Sequence, residues 1–141
     1  GPRVGGPPVL VAGSGPRMLR LTAQYADMWN PSGYLTAPSS FIEPHAKLSA
    51  ACTEVGRDPT TLGLTAMVAL AYPDLGEPPV SSHIPAYLSG STEEIAAAMH
   101  GYHQMGVSHL MFHCTPYTAT VLERLAEAVQ VYRRTSRPLA F

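Results

Sequence analysis

The chain has 141 residues, 45% of them hydrophobic and only 13% charged, and a formal net charge of −1. A charged fraction about half the ~25% of an average globular domain, with that much apolar content, excludes a disordered chain. The balanced charge excludes a strong electrostatic hold on nucleic acid or on an anionic membrane. The size fits one domain, residues 1–141. Cys52 and Cys114 stand in unlike contexts with no CxxC spacing, so neither a disulfide framework nor a zinc motif is indicated, and the expected setting is reducing and cytoplasmic. No run approaches the ~18 apolar residues of a membrane span. The chain opens on Gly1-Pro2-Arg3, without Met or a signal layout, which points to processing or to a piece of a longer reading frame.

The first element in chain order is a short apolar run, Val9 to Ala12, between prolines and Gly13, which predicts a buried strand. Pro16 suits a first helical position, and Met18, Leu19, Leu21, Ala23, Tyr25 and Ala26 follow at helical spacings, predicting a helix from Pro16 to Ala26. Asp27 to Gly33 is apolar at its front and turn-rich at its end, a second short strand running into a loop. Ser40 and Glu43 have capping-box spacing ahead of Phe41, His45, Leu48, Cys52 and Val55, an amphipathic helix closed by Gly56. Leu62 to Tyr72 has no charge and many β-formers, as a strand covered on both faces would. The Pro-rich stretch 73–86 reads as a lid-like loop. Ser91 and Glu94 form a second capping box, and Ile95, Ala98, Met99, Tyr102 and Met105 supply the buried stripe of a helix ended by Gly106. Val107 to Cys114 is the fourth strand. Val121, Leu122, Leu125, Ala128, Val129 and Tyr132 mark a last helix that fades into Arg133, Arg134 and Arg137.

Strands alternating with helices in βαβαβαβα order predict an α/β fold with a parallel sheet. Parallel strands need cover on both faces, so the choice lies between a small doubly wound sheet and part of a (β/α) barrel. A closed (β/α)8 TIM barrel takes about 250 residues, and this chain supplies about half of one.

The stretch with most chemical promise is Val11-Ala12-Gly13-Ser14-Gly15-Pro16-Arg17, a glycine turn between strand and helix whose amides and helix dipole would converge on an anion such as phosphate. Met18 stands where a dinucleotide fingerprint needs its third glycine, and a Walker Gly-Lys-Ser/Thr is absent. A tight turn with no ligand remains the other reading.

Pro8 to Leu19, continued by Ala23, Tyr25-Ala26-Asp27 and Trp29-Asn30, resembles the C-terminal half of the bacterial luciferase-like monooxygenases, oxidoreductases built on a (β/α)8 barrel that use FMN or coenzyme F420. Gly56-Arg57-Asp58-Pro59, Leu88 to Ile95 and Gly106 to Leu110 are similar to stretches of that family in the same order, so the likeness covers nearly the whole chain. The resemblance implies that Gly13, Ser14 and Gly15 in the first loop, with Asn30 and Ser32 in the second, hold the phosphate of a flavin-type cofactor that acts on a small organic substrate. Arg17, one turn into the helix, would add charge there or remain a solvated residue. Some members have a lysine after the sixth barrel strand, and Pro31-Ser32-Gly33-Tyr34 has none. Much of the family's catalytic equipment lies in the first four βα units, so no catalytic residue is assigned, and either a missing N-terminal half or self-association is expected. A half-barrel module that binds a phospholigand or pairs with itself, without activity of its own, is the alternative; an inert remnant is a third.

Trp29 would lie beside a flavin ring or in the core. His109, Met111 and His113 alternate onto one face of the last strand, while His100 and His103 share a helix face; no carboxylate or cysteine completes a ligand set, so no metal is expected. His113, near a strand's C-terminal end, is the best pocket candidate among them. Cys114 is expected to be inert, and Asp27 and Asp58 to brace turns.

Overall fold

The computed structural model describes residues 4–136, so Gly1-Pro2-Arg3 and Arg137 lie outside the described residues. Four strands, β1 (Leu10–Ala12), β2 (Met28–Asn30), β3 (Gly63–Ala71) and β4 (Val107–Thr115), alternate with four helices, α1 (Pro16–Tyr25), α2 (Ile42–Glu54), α3 (Thr92–Gln104) and α4 (Ala119–Ser136). The strands form one parallel sheet in the order β1-β2-β3-β4. β2 pairs with only the first residues of β3. Leu35 and Leu88 continue that pairing further up: Leu35 donates to the Met67 carbonyl at 2.8 Å, and Leu88 to the Ala69 carbonyl at 2.7 Å. The loops after β2 and β3 are therefore stitched to the C-terminal half of β3.

All four helices pack on one face of the sheet. Leu19, Ala23, Leu48, Cys52 and Tyr102 surround Trp29, Leu64, Ala66 and Val68, while Ile95, Met99, Val121 and Ala128 surround Leu70 and Cys114. Side chains alternate along a strand, so Thr65, Met67 and Ala69 of β3 share the opposite face with His109, Met111 and His113 of β4. His109 and His113 are exposed there. Among the described residues, no helix is long and apolar enough to cross a membrane.

Two expectations need correction. β1 is not buried: Val9 is 53% and Leu10 42% exposed, because among the described residues β1 is a sheet edge paired only with β2. The capping box at Ser40 and Glu43 is not formed either. Pro38 starts a 3-10 turn, Pro38–Phe41, that runs straight into α2, so Ser40 lies inside a helical turn and its hydroxyl accepts from the Thr36 amide and donates to the Ala37 carbonyl. Glu43 pairs with Lys47 instead, at 3.1 Å. The second capping box is present: Ser91 accepts from the Glu94 amide at 3.1 Å, and the Glu94 carboxylate accepts from the Ser91 amide.

Turns are braced by the polar residues expected to do so. The Asp27 carboxylate accepts from the Val9 amide at 2.7 Å, and Asp58 accepts from the Thr60 amide at 2.9 Å, which holds its carboxyl below the usual range. Arg57, just after Gly56 (φ +75°), reaches back to the Ala23 and Ala26 carbonyls and closes the C-terminus of α1.

The Phe41 ring stacks on His45 at 5.3 Å, and burial pushes the His45 imidazole below its ordinary pKa. The unfolded chain therefore binds the proton more readily than the fold. The His45 contribution is complete above the usual histidine range and is lost as pH falls through it. The urea midpoint is expected to drop between about pH 7 and about pH 5, and His45→Gln should flatten that slope; an unchanged slope in the variant would refute the assignment.

Candidate functional site

In a parallel sheet every strand ends on the same side, and the loops that leave these ends are the usual place for a ligand. The turn after β1 is clamped to β2 in both directions. Trp29 Nε1–H donates to the Gly13 carbonyl at 2.9 Å, and the Gly13 amide donates to the Asn30 carbonyl at 3.2 Å. Gly13 itself is buried, and a Cβ there would come within 3.0 Å of Met18 Cβ, so the close fit of the turn onto α1 accounts for this glycine. Trp29 is fully buried in the core beneath the turn.

Ser14 and Gly15 are exposed above that clamp. The Ser32 hydroxyl, from the loop after β2, donates to the Ser14 hydroxyl at 2.6 Å, so the two loops meet at the point where α1 begins. Gly15 is the N-cap of α1, Pro16 follows it, no side chain among the described residues caps the helix, and its first turn has no acidic residue. Gly15 has ordinary extended backbone, with φ −71°, and a Cβ added to it would meet nothing within 4 Å. The positive end of the α1 dipole thus faces open space bordered by two hydroxyls. Arg17 is exposed on the first turn.

Asn30 is 8% exposed and turned inward. Its amide oxygen accepts from the Thr65 hydroxyl at 2.9 Å, and its amide nitrogen donates to the Pro31 carbonyl at 2.8 Å. The same Thr65 hydroxyl also lies 2.9 Å from the Trp29 carbonyl. Asn30 and Thr65 therefore shape the loop that carries Ser32.

A cleft of about 340 Å³ opens beside Ser14, bordered by Ser39, Ser40 and Lys47. Lys47 is the only lysine of the chain and approaches the turn from α2, not from the loop after β2. Its i,i+4 spacing to Glu43 is visible in the sequence, but its nearness to Ser14 follows from the packing of α2 on α1. At the other end of the same loop the Tyr34 ring lies 5.0 Å from the His113 imidazole.

The histidines do not converge. His100 bonds Thr135 and packs on Tyr132, and His103 lies 3.1 Å from the Tyr132 hydroxyl, both facing α4, while His109 and His113 project from the other face of β4. Among the described residues no three His, Cys, Asp or Glu side chains gather as metal ligands. Burial pushes both thiols, Cys52 and Cys114, above the usual range.

No family model matches the chain. Over 56 residues it is 39% identical to the phthiodiolone/phenolphthiodiolone dimycocerosates ketoreductase of Mycobacterium tuberculosis, covering 40% of this chain and 14% of that protein. The ketoreductase of that description from Mycobacterium sp. strain JLS is 27% identical over 104 residues, 71% of this chain and 27% of the relative. Among solved structures, an F420-dependent secondary alcohol dehydrogenase in complex with an F420-acetone adduct superimposes with a TM-score of 0.63 at 16% identity, over 89% of this chain and 49% of that one. The coenzyme F420-dependent tetrahydromethanopterin reductase of Methanopyrus kandleri gives 0.65 at 13%, over 92% and 51%. The EDTA monooxygenase EmoA of Chelativorans sp. BNC1 gives 0.65 at 11%, over 96% and 48%. The chain spans about half the length of these solved structures and less of the curated relatives. Its four parallel βα units share the fold of F420-dependent and luciferase-like monooxygenase structures.

Proposed function

We propose that this chain is the C-terminal, phosphate-holding half of a luciferase-like oxidoreductase that uses FMN or coenzyme F420. The observation that carries the reading is the contact between Ser14 and Ser32 over the uncapped start of α1. An anionic phosphate oxygen is suited to this place: it would accept from the first-turn amides that follow Pro16 and from the Ser14 hydroxyl, and from Ser32 once that hydroxyl turns its proton away from Ser14. In this role Gly13 lets the turn lie close on α1, Ser14, Gly15 and Ser32 touch the phosphate, and Asn30 positions the second loop. When bound, the cofactor supplies the hydride or oxygen chemistry. The chain's part is to anchor one end of it and to shield the mouth of the sheet from water. The segment 73–86 is suited to act as a lid, since its base is pinned by the Asp74–Arg124 pair and its end by Leu88, with an exposed stretch between them.

A second reading, a self-associating half barrel without activity of its own, is favoured by the exposed apolar edge at Val9 and Leu10.

FMN and riboflavin share a ring and differ in the phosphate, so they test the anchor directly. FMN is expected to bind at least about tenfold more tightly, and Ser14→Ala with Ser32→Ala should narrow the gap. Coenzyme F420 against its phosphate-free core is the matching pair. Equal affinities within both pairs would sink the reading.

A further inference from the structure

The loop after β2 does more than meet the glycine turn. It leaves β2 at Pro31, touches Ser14 through Ser32, and then carries Tyr34 over the C-terminal half of β3 before Leu35 joins the ladder at Val68. The register partner of His113 on β3 is the small Ala69. The two rings are 5.0 Å apart and inclined by 50°, a tilted aromatic contact and not a parallel stack. His113 is exposed, on the face of β4 opposite the helices, near the strand's C-terminal end. Its neighbours Phe112 and Cys114 belong to the packed core on the other face. The result is a row of functional groups along one edge of the sheet, from Ser14 at β1 through Ser32 and Tyr34 to His113 at β4. Three parallel strand spacings make that row about 14 Å long. That is the scale of a ribityl phosphate extended to a tricyclic ring.

We propose that Tyr34 and His113 form the ring-end contact of the site, with His113 donating an N–H to a ring carbonyl of the flavin or deazaflavin and Tyr34 holding the imidazole at that angle. This rests on the phosphate reading above and adds the other end of the ligand. The chemistry suits the residues. A planar heteroaromatic with carbonyl oxygens takes a hydrogen bond from an imidazole at its edge and apolar contact from a phenol ring beside it. His113 is a binding and positioning residue in this role, and no bond is made or broken on it.

Solution NMR of the chain, with FMN and riboflavin as probes, tests the pairing. FMN should shift both the His113 imidazole signals and the Ser14 and Gly15 amides. Riboflavin at higher concentration should shift His113 while moving the Ser14 and Gly15 amides much less. His113→Ala should weaken FMN binding about tenfold, His113→Gln, which keeps a donor, should restore most of it, and Tyr34→Ala should weaken binding less. Because His113 is exposed, the two His113 variants keep the fold, and a thermal melt of Tyr34→Ala, whose side chain is half-buried, accompanies its titration. If FMN shifts the Ser14 and Gly15 amides but leaves His113 unmoved, and His113→Ala binds within twofold of the parent chain, the ring-end contact is wrong and the phosphate anchor survives. If His113 moves and the two amides do not, the anchor is wrong and the contact stands. If neither moves, both fall.

Discussion

Trp29→Ala is expected to cost the fold about 3–5 kcal/mol and to loosen the glycine turn at the same time. Trp29 is fully buried, packed at 5.9 Å against Phe41, and its indole N–H holds the Gly13 carbonyl at 2.9 Å. Truncation leaves a cavity between α1, α2 and the sheet and an unpaired carbonyl above it. Trp29→Phe separates the two effects. It keeps most of the ring, so the loss should fall to the scale of one buried hydrogen bond with its orphaned acceptor, about 1–3 kcal/mol, while hydrogen exchange at Ser14 and Gly15 still accelerates. Urea unfolding followed by circular dichroism gives the first quantity and amide exchange the second. If Trp29→Phe unfolds at the parent midpoint with unchanged exchange, the indole is only a space filler.

Gly15→Val is expected to abolish phosphate-dependent cofactor binding while leaving the fold intact, a loss of at least about a hundredfold. The backbone at Gly15 is one any residue adopts, and among the described residues a Cβ there meets nothing within 4 Å, so the branch point of a new side chain is accommodated. In the proposed site the added bulk would compete with the phosphate for room at the start of α1. Gly13→Val is a poorer probe, because its Cβ would press on Met18 at 3.0 Å and disturb the turn itself. The measurement is FMN and coenzyme F420 affinity by fluorescence titration beside a thermal melt. Retained affinity with an unchanged melt would show that the ligand does not use the start of α1; a collapsed melt would show that the space above Gly15 is not open in solution.

The alternation of β3 and α3 was legible because each carries a pattern that local physics enforces: an uncharged run in β3, and in α3 a capping box, a 3.6-residue stripe and a terminating glycine with φ +92°. The Ser40–Glu43 motif had the same spacing and failed, since helical turn geometry already begins at Pro38, with Ala37 in the capping position, and Ser40 lies within the turn. Periodicity likewise marks β1 as apolar but says nothing of its place in the sheet, and an edge strand leaves that apolar surface open.

The candidate site divides in the same way. Gly13, Ser14 and Gly15 announce themselves because small residues permit a close turn and Pro16 after them presets the first helical position, and both effects act within a few residues. Ser32 facing Ser14, Lys47 at the rim, and Tyr34 against His113 are separated by 18, 33 and 79 positions along the chain. No local preference links residues so far apart. They meet because parallel strands bring all their C-terminal ends to one side, because the loop after β2 is hydrogen-bonded along β3 and, for Lys47, because α2 packs on α1. Element order and periodicity predicted four parallel βα units and marked a glycine turn after the first strand; only the packed sheet brought Ser32 to Ser14 and Tyr34 to His113.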